Sequence, residues 1–241
     1  MSEPGRRRTG RLAAPVLAAF ALAIVALGAG VARSDETAKL SSKLPKASEF
    51  HKHVRKVMKT YPMDGTHRYY WPRKGQWKGT TCDLEYQGKT IAAGDKDGRC
   101  FCCGLTFEVF FRAWQSWDKS KGRKMAILDL TPKQVSKLLY LWFGSDGNRK
   151  CILNAVETFK LGRRITKLED ARAGDFVQLW RHSGSGHSVV FVDWQRDKAG
   201  TITGLKYWST QSSTKGIGLR TESIGPKGIK RDELYVVRIG R

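Results

Sequence analysis

The sequence predicts an α+β domain in which helices come first and an antiparallel strand meander follows. Three observations predict it. Before Gly162, apolar residues recur at helical spacing, as in Leu105, Val109, Phe110 and Trp114, lining one face of a 3.6-residue helix. Beyond Gly162 the run Phe176-Val177-Gln178-Leu179-Trp180 and its successors are short, β-branched and aromatic, the composition of strands. The two patterns are segregated along the chain rather than alternating, which is the order of α+β folds and not of βαβ units.

Glu49 to Tyr61 reads as a helix through Phe50, Val54, Val57 and Met58, and Tyr61-Pro62-Met63-Asp64-Gly65 ends it. A short aromatic segment, His67 to Trp71, follows, and then a glycine- and charge-rich stretch, Thr80 to Arg99, that suits a loop or a small hairpin. A second helix runs from Cys102 to about Trp117. Thr131-Pro132 is an N-cap followed by proline at the first helical position, and Gly144 is the matching stop, with Val135, Leu138, Leu139 and Trp142 as the stripe between them. A further helix spans Cys151 to Leu161 and ends at Gly162, with Ala155, Val156 and Phe159 inward and Cys151 as a small buried hydrophobe. Strands follow at 176–180, 188–194, 202–209 and 234–239, with Asp197-Lys198-Ala199-Gly200 as a hairpin turn.

The chain has 241 residues and a formal net charge of +22. Its 40% hydrophobic content, with eight tryptophans, is that of a folded globule rather than a disordered chain. Arg6-Arg7-Arg8 and Arg11 precede an apolar run from Leu12 to Ala32, and Gly30-Val31-Ala32 is a small-x-small site. Residues 1–32 therefore read as an export signal or, uncleaved, as a membrane anchor. Residues 33–48 read as a linker and 49–241 as the domain, placed outside the cytoplasm. Most of the positive charge lies beyond residue 32, so the exported part should associate with polyanions: peptidoglycan or another anionic cell-envelope polymer. No nucleic-acid motif is present, and the export signal argues against such a partner. A membrane is expected only through an uncleaved N-terminal segment, and the domain is expected to be a monomer.

Disulfides persist in that compartment, and the five cysteines, 82, 100, 102, 103 and 151, are odd in number. One bridge, Cys82–Cys100, is expected. It would close the polar segment between them, contribute roughly 3 kcal/mol and leave Cys102 free. Cys100-x-Cys102-Cys103 lacks zinc-ligand spacing and has no histidine beside it, so no metal is expected, and no cofactor.

Cys102 opens a helix, where unpaired backbone N–H groups and the positive end of the dipole favour a thiolate. Cys103 is rotated about 100° from it, so only one of the two is expected to face a cleft. Far downstream, Gly184-Ser185-Gly186-His187 leads into an apolar strand. His187 is the general-base candidate, His182 reads as a loop residue, and His51 and His53 as solvated in a basic segment. A cysteine on a helix start facing a histidine on a strand is the layout of papain-like hydrolases.

These blocks resemble the NlpC-like cell-wall cysteine peptidases, relatives of the papain-like and CHAP amidase enzymes. Phe101-Cys102-Cys103-Gly104-Leu105 is similar to the family's D-C-S-G-L core, Ala173-Gly174-Asp175-Phe176-Val177 to its Gly-Asp strand, and His187-Ser188-Val189-Val190 to its H-V-G-I strand. Gly65 to Trp71 is similar to its G-T-P-Y-x-W segment. The resemblance covers about Gly65 to Gln211, with an insertion at about 72–99 and with Phe101 in the family's aspartate position. It implies a papain-like fold, its nucleophile helix packed on an antiparallel sheet, and a cysteine hydrolase of peptidoglycan peptides. Cys102 takes the nucleophile position, His187 the base, and Tyr69 the family tyrosine beside the oxyanion. Trp71 and Trp208 are expected at the substrate groove. The residue that orients the histidine is either Ser209, by position, or Gln211, whose amide oxygen accepts from an imidazole N–H. A catalytically silent wall-binding relative is the alternative.

Overall fold

Among the described residues, four helices of eight residues or more pack with a six-stranded, wholly antiparallel sheet. The computed structural model describes residues 38, 41–72 and 78–241, and residues 40–241 form one compact unit. The expected export signal, residues 1–32, lies outside the described residues. No helix among the described residues is long and apolar enough to cross a membrane.

Helix α1 (Ala47–Met58) buries Phe50, His51, Val54 and Val57 and packs along α2 (Cys102–Ser120). The stretch expected as a linker belongs in part to the domain. Ala47 N–H donates to the Arg241 carbonyl at 2.9 Å, and Arg241 N–H donates to the Pro45 carbonyl at 2.9 Å, so the chain end clasps the start of α1.

The glycine-rich insertion forms a hairpin, β1 (Leu84–Tyr86) and β2 (Lys89–Ala92). Gln87 and Gly88 both take positive φ (49° and 74°), the two-residue turn that matches strand twist. Tyr86 pins it down: its hydroxyl donates to the Leu130 carbonyl at 2.9 Å and accepts from Ile127 N–H at 3.1 Å.

Helix α2 is buried nearly all round, from Cys102 to Asp118, and forms the centre of the larger core. Phe107, Phe110 and Trp114 meet Phe50, Trp142 and Phe176 there. Helix α3 (Pro132–Trp142) starts in a capping box between Thr131 and Gln134. Helix α4 (Cys151–Thr158) stops one turn earlier than expected. Lys160, at φ 51°, takes the left-handed position, and Gly162 instead opens strand β3 (Gly162–Ile165).

The sheet order is β3-β8-β4-β5-β6-β7, with β4 (Phe176–Arg181), β5 (Gly186–Arg196), β6 (Ile202–Gln211), β7 (Gly216–Ser223) and β8 (Ile229–Ile239). Its two edge strands, β3 and β7, are the ones the pattern missed. An edge strand needs little apolar alternation, and Arg163, Arg164, Leu219 and Glu222 interrupt it. One sheet face joins the helical core through Phe176, Val190, Trp208 and Val237. The other carries a second apolar cluster, Val177, Leu179, Val189, Tyr207 and Val236 among them. Helix α2 packs against β5 and β6, which brings its N-terminus to the start of β5.

Candidate active site

Cys102 is the first residue of α2, and its N-cap, Phe101, has extended backbone and no capping side chain. No acid occupies the first turn, so nothing competes with an anion for the free N–H groups. Phe101 is held from outside the helix, its N–H donating to the Gly79 carbonyl at 3.2 Å. Gly104 makes this possible: a Cβ there would lie 2.2 Å from the Gly79 oxygen. The glycine of the F-C-C-G-L block thus lets the 78–79 backbone lie across the first turn of α2.

The Cys103 thiol, the His187 ring and Ser188 N–H stand close enough to the Cys102 sulfur to shift its ionisation. Cys102 is held well below the usual thiol range, first by the bond from Cys103, then, against the opposing effect of burial, by the charge and hydrogen bond of His187 and by Ser188 N–H. Cys103 is pushed the other way, chiefly by burial and by its role as donor. Cys103 thus favours the Cys102 anion from within the protein, although about 100° of helical rotation separates the two positions.

His187 is 6% exposed and its Nε2 meets the Gln211 Oε1 at 3.1 Å. The Gln211 amide is oriented by its own donor, Nε2 to Thr214 Oγ1 at 2.7 Å, so the oxygen faces the imidazole and accepts from it. That leaves Nδ1 for Cys102. Between the two open assignments the geometry therefore favours Gln211. Ser209 instead donates to the Ser188 carbonyl at 2.8 Å, fixing the β5–β6 pair behind the site.

Tyr69 stands near Cys102 and Cys103, and burial followed by those two neighbours raises its hydroxyl to about 12, against a lowering effect of Arg181. It stays a proton donor at neutral pH. Trp71 is 55% exposed and packs edge-on against Phe101, the residue before Cys102, with centroids 4.6 Å apart. Trp208 is elsewhere. It is buried against Tyr61 at 5.6 Å and lines a separate apolar groove.

The expected Cys82–Cys100 disulfide is not made; all five cysteines are free thiols. Cys100 bridges to Tyr69 by its backbone and is buried beside Thr210, burial pushing its thiol to about 12. Cys82 is exposed and donates to the Glu108 carboxylate at 3.5 Å. Among the described residues no group of His, Cys, Asp or Glu is placed to hold a metal ion.

Several residues around the site escaped the sequence reading. Glu108, fully buried on α2, accepts from the Tyr61 hydroxyl, Thr81 N–H and the Thr81 hydroxyl, each at 2.7 Å, and pairs with Arg112. It fastens Thr81 and Tyr61 to α2. Its signal was an acid inside the apolar run Leu105 to Phe111. His51 is not solvated but buried, 2.8 Å from Asp175, which also takes two bonds from Arg238 at 3.0 and 2.8 Å. The Asp of the Gly-Asp block is thus a joint between α1, β4 and β8. Burial alone would raise the Asp175 carboxyl, but the bonds from His51, Arg238 and Arg172 N–H hold it below its usual value. His53 is half-buried on Ser116 at 2.9 Å, and His182 is exposed in the turn after β4. Beneath His187 lies the Tyr207 ring, at 5.7 Å, with its hydroxyl on Glu222 at 3.0 Å, and Glu222 in turn pairs with Arg181. Trp180 forms the other wall; a Cβ at Gly186 would lie 2.9 Å from its ring.

Comparison with known families, with curated proteins and with solved structures finds no match to this chain.

Proposed function

We propose that this chain is an exported cysteine hydrolase of amide bonds, on a papain-like arrangement, acting on peptides of peptidoglycan. The observation that carries the reading is the Cys102–His187–Gln211 line at an uncapped helix N-terminus. The thiolate attacks the carbonyl carbon, and His187, which holds the thiol proton, passes it to the leaving amine. The Cys102 backbone N–H and the Tyr69 hydroxyl bond the tetrahedral oxyanion. Water, deprotonated by His187, then releases the acyl group and restores the thiol. Gln211 keeps the imidazole turned toward sulfur throughout. The substrate class rests on the resemblance of the F-C-C-G-L, Gly-Asp and H-S-V-V blocks and on the positive charge, which suits an anionic wall polymer.

The test pairs chemistry with binding. Iodoacetamide at about pH 6 should label Cys102 and spare Cys100, Cys103 and Cys151, whose thiols are pushed up by burial. Cys102→Ala should stop peptide release from purified peptidoglycan and keep salt-sensitive binding to it. Release unchanged in Cys102→Ala refutes the nucleophile. If the parent protein releases nothing but binds with the same salt dependence, the protein is a silent wall-binding module.

A further inference from the structure

Among the described residues, five large apolar side chains are exposed: Met63, Tyr70, Trp71, Tyr140 and Leu219. Tyr70 and Trp71 lie beside Cys100 and Phe101, Tyr70 N–H donating to the Cys100 carbonyl at 2.9 Å. Met63 and Leu219, 57% and 45% exposed, flank a different feature, a groove of about 380 Å³ between α1 and strands β5 to β7. Met58, Phe191, Val192 and Trp208 are among its apolar lining, and the charged residues among those described there are Arg55 and Lys59. That is the composition of a site for an apolar body with one charged end.

The charge around it is one-sided. Helix α1 presents Lys52, Arg55, Lys56 and Lys59 as exposed cations. Its one acid, Glu49, is already paired with Lys121 at 2.7 Å. Arg55 spends one N–H on the Ala173 carbonyl at 2.9 Å and keeps its charge and remaining donors. A hydrophilic wall polymer would be served by the lysines alone and has no use for exposed Met63 and Leu219. An acyl chain uses both halves: methylenes against the groove, with flexible methionines adapting to the chain, and an anionic head on the rim.

We propose that this groove is a docking site for an anionic lipid, taking one acyl chain between Met63 and Leu219 with the headgroup on Arg55 and Lys59. The site is separate from the Cys102 chemistry and does not depend on it. It would hold the domain against a membrane surface, to which the basic N-terminal stretch and apolar run of the sequence also point.

The experiment uses the full chain carrying Cys102→Ala, so that no bond cleavage complicates binding. The probe is decyl phosphate below its micelle concentration, with decyltrimethylammonium and inorganic phosphate as controls, followed by vesicles with and without phosphatidylglycerol. Saturable binding of decyl phosphate is expected. Met63→Gln with Leu219→Asn, both at exposed positions, should weaken it about tenfold, since two apolar contacts are lost. Lys59→Glu should weaken it as well, and vesicles containing phosphatidylglycerol should bind in the same rank order. Equal binding of decyl phosphate by the double variant, equal binding of the cationic amphiphile, or full displacement by inorganic phosphate would each overturn the proposal. Affinity for polyphosphate that matches decyl phosphate and ignores the double substitution would make the surface a polyanion site instead.

Discussion

Gln211→Ala is the perturbation that tests the site most directly. In the parent protein the Gln211 oxygen, 3.1 Å from His187 Nε2, bonds the ring most strongly when the ring is charged, that is, when Cys102 is the thiolate. A hydrogen bond to a charged group contributes about 1.5–3 kcal/mol. A bond to the neutral ring contributes about 0.5–1.5 kcal/mol, so removal lowers the ratio of thiolate–imidazolium to thiol–imidazole by the difference of about 1–1.5 kcal/mol, roughly 5- to 13-fold. The alkylation rate of Cys102 by iodoacetamide is proportional to thiolate population on the acid limb of its pH profile, and should fall there by that factor. Thr214→Val keeps the acceptor but frees the amide that Thr214 orients, so it should produce a smaller loss, on the order of 2- to 10-fold. Thermal unfolding controls for folding. An Ala variant that is folded and alkylated within about twofold of the parent, far less than a charge-assisted bond is worth, refutes Gln211 as the partner of the base.

Two further outcomes are expected. Gly104→Ala forces a Cβ to 2.2 Å from the Gly79 oxygen, over an ångström inside an ordinary 3.4 Å contact. The neighbour is backbone, so the cost is about 1–3 kcal/mol or more, a fall in Tm of roughly 2–12 °C for a domain of this size, and Cys102 alkylation should slow because Phe101 hangs from the same carbonyl. Asp175 makes stability fall in acid: its folded carboxyl lies below its usual 3.8, so the unfolded chain takes up the proton first as pH drops. The stabilisation is complete above the unfolded value and is lost as pH falls through the lower, folded one. Urea unfolding followed from about pH 6 to pH 3 should show that slope shrink in Asp175→Asn, and an unchanged slope would show that the joint with His51 and Arg238 is not the acid-sensitive element.

The residues by themselves determined the order of elements and the two chemical ends of the site. Thr131-Pro132 and Gly144 bound a helix because capping and the proline ring act within a few residues. Cys102 and His187 were legible because a helix start and a strand start are local events. Edge strands β3 and β7 were not, since what makes them strands is a neighbour's free backbone, contributed by β8 and β6. The choice between Ser209 and Gln211 had the same character: both lie on β6, and only the position of Ser188 and Thr214 decides which reaches the imidazole. His51 looked solvated among lysines until Asp175, 124 residues away, was packed against it. The disulfide failed for the converse reason. Cysteine count and compartment state what is permitted, but a bridge needs two sulfurs aimed at each other, and here Cys82 donates to Glu108 while Cys100 is buried as a free thiol. Periodicity and capping are properties of neighbours in sequence. Which buried polar group meets which is set by the packing of α1, α2 and the sheet, because a carboxylate or imidazole removed from water must find its partner wherever the fold places one.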